Sequence, residues 1–241
     1  MGKTEKITFG IVAGVVAVLA IGIFWSLTHL DSIVKSAIET VGPDVTGTPV
    51  QVASVHISIQ DGTGEISGLT IANPDGFDSD YAIRFGKIHL ALDKASLATD
   101  VLRINAITVQ ESSIIAEVKV GAGINLQKIM DNMKGDSKGE AAPGGETSGR
   151  NLIIDRFDLT DSDIRLVSGI EDYQATMGDV QVTGIGQKPN GASSREVALQ
   201  LLRPVVSEAI RAAKKEGSKH GVDGLKEGMT EKIKDKLKIG G

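Results

Sequence analysis

Three stretches of this 241-residue chain repeat one spacing of apolar side chains, and the spacing belongs to strands. Ile66, Leu69, Ile71 and Pro74 set it in "ISGLTIANP". Ile104, Ile107, Val109 and Ser112 in "INAITVQES" match it thirty-eight residues on, and Ile154, Phe157, Leu159 and Ser162 in "IDRFDLTDS" match it fifty residues later. The last two copies also agree at Ile114 and Ile164. Apolar positions three and then two apart fit a strand whose alternation slips once, as at a bulge. A small or turn-forming residue then closes each copy. The spacing predicts a recurring strand-turn unit.

The remaining apolar pattern extends this reading. Val50, Val52, Val55, Ile57 and Ile59 alternate with polar residues, as do Ile83, Phe85, Ile88, Leu90 and Leu92, and later Ile114, Ala116, Val118 and Val120. Turns are expected at "QDGTG", "NPDGFDSD" and "QESS". Such strands have one apolar face, with Gln51, His56, Arg84, His89, Arg103 and Lys119 on the other. Between residues 30 and 220, helical spacing occurs in three places. "LDSIVKSAIETV" at 30–41 is stopped by Gly42 and Pro43, "NLQKIMDNM" occupies 125–133, and "SREVALQLLRPVVSEAIRAAKKEG" begins at Ser194. Pro204 predicts a kink or a fresh start in the last of these.

Residues 7–28 carry no charged side chain. As a helix they reach roughly 33 Å, enough for a bilayer's hydrocarbon core. Lys3 and Lys6 precede the run and Asp31 follows it, which predicts a cytoplasmic N-terminus and an exported bulk. A signal peptide cut after "VLA" at 18–20 is the alternative, but the apolar run continues past that cut. The chain therefore divides into an N-terminus and anchor at 1–29, the first part of a β domain at 30–133, and a linker at 134–150. Strands completing the sheet follow at 151–190, and a helical amphipathic region at 191–241. The linker, "KGDSKGEAAPGGETSGR", is too rich in glycine and charge to bury a core. Beyond residue 221, Val222, Leu225, Met229, Ile233 and Leu237 form a thin stripe among lysines 226, 232, 234, 236 and 238. The fold class expected is mainly β with flanking α: a transmembrane helix, a curved antiparallel sheet with short covering helices, and a helical C-terminus.

Catalytic chemistry is sparse. The absence of cysteine removes disulfides, zinc-thiolate sites and thiol nucleophiles. His29, His56, His89 and His220 lie in no metal-ligand spacing; "GKT" at 2–4 lacks the glycine that a P-loop carries five residues before its GK[ST], and "GDSKG" at 135–139, which matches G-x-S-x-G, falls in the glycine- and charge-rich linker and not between a strand and a helix. Asp75, Asp78 and Asp80 lack the spacing and closing Glu of a calcium loop, so a solvated turn is the expectation there. Net charge of −5 and 3% aromatic content argue against nucleic acid as a partner. The expectation is a protein with no enzymatic activity and no cofactor. What remains is the apolar strand face, which either forms a covered core or holds acyl chains in an open groove. The lining candidates are Val52, Val55, Ile57, Ile66, Leu69, Ile71, Phe85, Ile88, Leu90, Ile104, Ile107, Val109, Ile154, Phe157 and Leu159.

The anchor followed by "TG-x-PV-x-V" at Thr46–Val52, by "I-x-GL-x-I-x-NP-x-GF" at Ile66–Phe77, and by "NL" at Asn125–Leu126 resembles the start of AsmA-family envelope proteins, relatives of TamB. The likeness covers about residues 7–185. It implies a bacterial inner-membrane anchor, a periplasmic β-structure, a phospholipid ligand and a part in outer-membrane biogenesis. The chain departs from the long family members in being short. Roughly eight strands at about 4.8 Å spacing give a groove near 40 Å, so bridging a periplasm would need a homo-oligomer or an envelope protein partner. The "L-x-I-x-NP" turn is also similar to the WHy group of small β-sandwich domains. That likeness implies an interaction or scaffold domain with a closed core.

Overall fold

The computed structural model describes residues 30–135, 150–169 and 172–220. Helix α1 (Leu30–Thr46) leads into β1 (Val50–Gln51), β2 (Ser54–Ser58), β3 (Thr63–Ile71), β4 (Ile83–Leu92) and β5 (Val101–Lys119). The short β6 (Gly123–Ile124), α2 (Asn125–Gly135), β7 (Asn151–Leu159), β8 (Asp163–Val167), β9 (Asp172–Thr176), β10 (Val180–Ile185) and α3 (Ser194–His220) follow. Most of the expected linker and the stripe beyond residue 221 lie outside the described residues, as does the predicted anchor at 7–28. Among the described residues no helix is long and apolar enough to cross a membrane.

The ten described strands form one sheet, and it is mixed rather than antiparallel. Strands β1 and β2 both pair with β3, and β3–β4–β5 continue antiparallel. β7 then runs parallel to the first half of β5, and β8 parallel to its second half. β10 and β9 pair antiparallel on the far side of these two. The parallel step has a direct cause in the repeat. Its fifty-residue offset places Ile104 beside Ile154, Ile107 beside Phe157, Val109 beside Leu159 and Ile114 beside Ile164. The closing serines meet as well, with Ser112 Oγ and Ser162 Oγ 2.5 Å apart and both buried. Two like-directed strands side by side need a crossover, and α2 and the chain after it supply the connection.

The first copy fits the pattern but sits at a different level. Through β4, Ile71 aligns with Ile83 and then with Ile114, and Ile66 with Ile88 and then Val109. Ile71 thus lies level with Ile114, not with its sequence match Val109.

"QESS", expected as a turn, lies inside the 19-residue β5, which reaches roughly 60 Å at about 3.3 Å per residue. The slip is absorbed by one residue instead of a reversal. Glu111 adopts φ +56°, and Asp161 fifty residues on adopts φ +51°. Gly86 opposes Glu111 on β4, where an added Cβ would lie 2.7 Å from the Glu111 Cβ. The bulge therefore needs a glycine as its neighbour.

Helix α1 runs past its expected stop at Gly42 and Pro43 to Thr46. Pro43 falls in the last turn, where its missing N–H forfeits a single helical bond. Val50 packs against the bare Cα of Gly42, 2.7 Å from where a Cβ would be. Alongside, α1 caps the free edge of β1 and β2. Asp31 Oδ1 accepts from the Ile57 N–H at 2.8 Å, Glu39 Oε1 accepts from the Val52 N–H at 2.9 Å, and Lys35 Nζ donates to the Ala53 carbonyl at 3.3 Å. An edge so occupied is closed to further strands.

Candidate functional site

The predicted lining residues converge on one face, and that face is filled. Val52, Val55, Ile66, Ile71, Phe85, Ile88, Leu90, Ile104, Ile107, Val109, Ile154, Phe157 and Leu159 are all buried in a single core. Ile57 and Leu69 are half-buried and pack against it. Three helices supply the other side. From α2 come Leu126, Ile129, Met130 and Met133, and from α3 come Val205, Val206, Ala209, Ile210 and Ala213. Each large side chain buried in this way contributes about 1.5–3 kcal/mol. Helix α3 passes Pro204 without ending. It is tied to its neighbours through Arg203 Nη2, which donates to the Met133 carbonyl at 2.9 Å, and Arg195 Nη1, which donates to the Asp44 carbonyl at 2.7 Å.

The opposite face carries a second feature, which sequence reasoning missed. Glu117 points away from the apolar core, yet it is buried, because the loop from Ala72 to Ala82 folds over it. Its carboxylate accepts from the Asp78 N–H at 2.8 Å, the Ser79 N–H at 2.8 Å and Asn73 Nδ2 at 3.1 Å. The Glu117 N–H in turn donates to Asn125 Oδ1 at 2.9 Å. Asn125 Nδ2 donates to Asn73 Oδ1 at 2.7 Å and to the Ile115 carbonyl at 2.8 Å. Lys119 and Lys128 fasten the rim, donating to the Gly76 and Asp75 carbonyls. The "NP-x-GF" turn and the "NL" helix start are thus parts of one latch. Burial pushes the Glu117 carboxyl up, but the Asp78 and Ser79 hydrogen bonds outweigh it and hold the group below the usual range. The sequence signal available was a lone carboxylate in "IIAEVKV". Its burial depends on a loop some forty residues earlier.

The acidic turn works as part of this latch. Asp78 pairs with Lys119 at 2.7 Å, and among the described residues no group of His, Cys, Asp and Glu is arranged to hold a metal ion. His56 and His89 lie near Asp31 and Glu65 on exposed surfaces. His220 stacks on Tyr173, with ring centroids 4.0 Å apart. Beside it, α3 and β9 border an open cleft of about 700 Å³ lined by Asp163, Gln174, Thr176, Glu208, Arg211, Lys215, Glu216 and Lys219. This lining carries charges of both signs. Glu208 pairs with Arg211, and Glu216 pairs with Lys219 and faces His220.

The architecture defines a mainly β protein built on a large mixed sheet with flanking helices. Comparison of the chain with protein-family models, with curated proteins and with solved structures finds no match.

Proposed function

We propose that this chain is a non-enzymatic scaffold or assembly factor of the bacterial envelope, anchored in the inner membrane by residues 7–28 with its β domain in the periplasm. The observation that carries the reading is the filled apolar face. Thirteen of the fifteen candidate acyl-lining residues are buried in one core that also takes side chains from α1, α2 and α3, so most of their apolar area is already removed from water. A domain in this state works through its polar outer face and its edges.

Phospholipid handling of the AsmA kind is the second reading, and one observation favours it. Apolar ladders such as Ile66–Ile88–Val109–Leu159–Val180 run across the sheet without interruption. Helix α3 meets the core partly through the small side chains Ala209, Ala212 and Ala213. Lifting that helix would bare a continuous apolar strip.

Native mass spectrometry with lipid extraction on residues 30–241, produced in the periplasm, separates the two. A folded, lipid-free domain is expected. One phospholipid per chain, retained through purification, would sink the scaffold reading in favour of the lipid one.

A further inference from the structure

Helix α1 fixes where the chain before it leaves the domain. Asp31 is held to the sheet, its carboxylate accepting from the Ile57 N–H at 2.8 Å. Further along, Lys35 meets Ala53 and Glu39 meets Val52, so α1 runs antiparallel to the edge it caps. The chain before Asp31 therefore exits past the end of β2, beside the turn at 59–62. A second turn shares that end of the sheet. Lys94 Nζ donates to the Gln60 carbonyl at 3.3 Å, which ties the 3-10 turn Lys94–Ala98 to the 59–62 turn. Arg150 Nη1 donates to the Leu97 and Thr99 carbonyls at 2.7 and 2.8 Å and fastens the start of β7 to the same turn. These segments make one hydrogen-bonded rim.

We propose that this rim rests on a lipid bilayer surface, with Ile33 and the Lys94–Ala98 turn at the level of the headgroups and the tip at 120–123 pointing away. The inference rests on the membrane-tethered reading above, and it adds which surface of the domain meets the lipid. The length of the tether carries it. From Thr28, the end of the uncharged run, to Asp31 the chain spans about 5 Å as a helix and at most about 11 Å extended. The headgroup layer is itself about 5–7 Å deep on each side of the hydrocarbon core. Asp31 and the strand end bonded to it are thus left no stalk on which to stand clear of the lipid.

The exposed apolar side chains agree with this placement. Among the described residues two large ones stand open to water, Ile33 at 54% and Val120 at 89%. Ile33 falls two residues past Asp31, where headgroups and acyl chains would cover it. Val120 sits at the opposite end of β5, up to roughly 60 Å away. Charge does not draw the rim down. Asp61, Asp93 and Asp100 offset Lys94 and Arg150, so the short tether sets the contact.

The test uses the full chain, which has no cysteine of its own, reconstituted in vesicles of phosphatidylethanolamine and phosphatidylglycerol. A fluorophore is attached through Ala98→Cys on the rim or Ala122→Cys at the far tip, both exposed positions. A nitroxide carried on the lipid headgroup is expected to quench the Ala98→Cys label at least threefold more than the Ala122→Cys label. Carbonate extraction of the same vesicles tests the tether separately. Equal quenching at the two positions in vesicles that retain the chain, whether strong at both or weak at both, would overturn the docked rim and leave the tether standing. Release of the chain by carbonate would overturn the tether and this inference with it.

Discussion

Replacing Glu117 with Gln is expected to lower stability by about 2–4 kcal/mol at pH 7, since hydrogen bonds to a charged acceptor are worth about 1.5–3 kcal/mol each. In a chain of this size that is a fall of roughly 5–15 °C in Tm. The cause is specific. The Asp78 and Ser79 N–H groups and Asn73 Nδ2 all donate into the carboxylate, and an amide nitrogen in place of one oxygen turns an acceptor into a competing donor. The loss has a pH signature. The folded carboxyl titrates below its ordinary value of 4.5, so its stabilisation is complete above about pH 4.5 and is lost as pH falls through the folded value. Thermal melts of both proteins from pH 7 to pH 3 check this. The gap between them should narrow in acid, where the native Glu117 also becomes neutral. A gap that stays constant down to pH 3 would show that the charge of Glu117 contributes nothing.

Val206→Asp is expected to have a larger effect. Val206 is fully buried on the face of α3 that packs on the core. The change forfeits about 1.5–3 kcal/mol of burial and adds the cost of an unpaired carboxylate in an apolar site. A total above about 4 kcal/mol follows, enough to detach α3 or unfold the domain. Melting curves, hydrophobic-dye binding and limited proteolysis distinguish these outcomes. A released helix on an intact sheet would leave a protected fragment ending near Ile185 together with strong dye binding. An unchanged melt would mean that α3 is not seated on the core at all.

How much of this was legible beforehand depended on the range of the cause. The strand repeat could be read because its period is local, and its fifty-residue offset became physical register, Ile104 beside Ile154 and Ser112 against Ser162. That the two copies would lie parallel could not be read, since strand alternation is the same in either direction. "QESS" passed for a turn because four polar residues in a row, two of them serines, interrupt the apolar alternation. Only the partner strand, with Gly86 opposite Glu111, shows that the chain slips there and continues. Amphipathic spacing marked Val109, Leu159 and their neighbours as one face, but the same spacing serves a groove and a core alike. The helices decide between these, and their docking is a tertiary fact. Glu117 escaped notice for the same reason. It lies on the strand face that alternation assigns to solvent, and a distant loop covers it.

The account's central claim is that the apolar face of the sheet is a core closed by α3. Hydrogen exchange on the full chain tests this most directly, by comparing the amides of Val205–Ala213 in α3 with those of Val109–Ile114 in β5. If α3 is part of the core, both sets exchange only through global unfolding, and their opening free energies agree. If the α3 amides exchange a hundredfold or more faster than those of β5, the helix lifts independently. The face is then a covered groove, and the closed-core account fails.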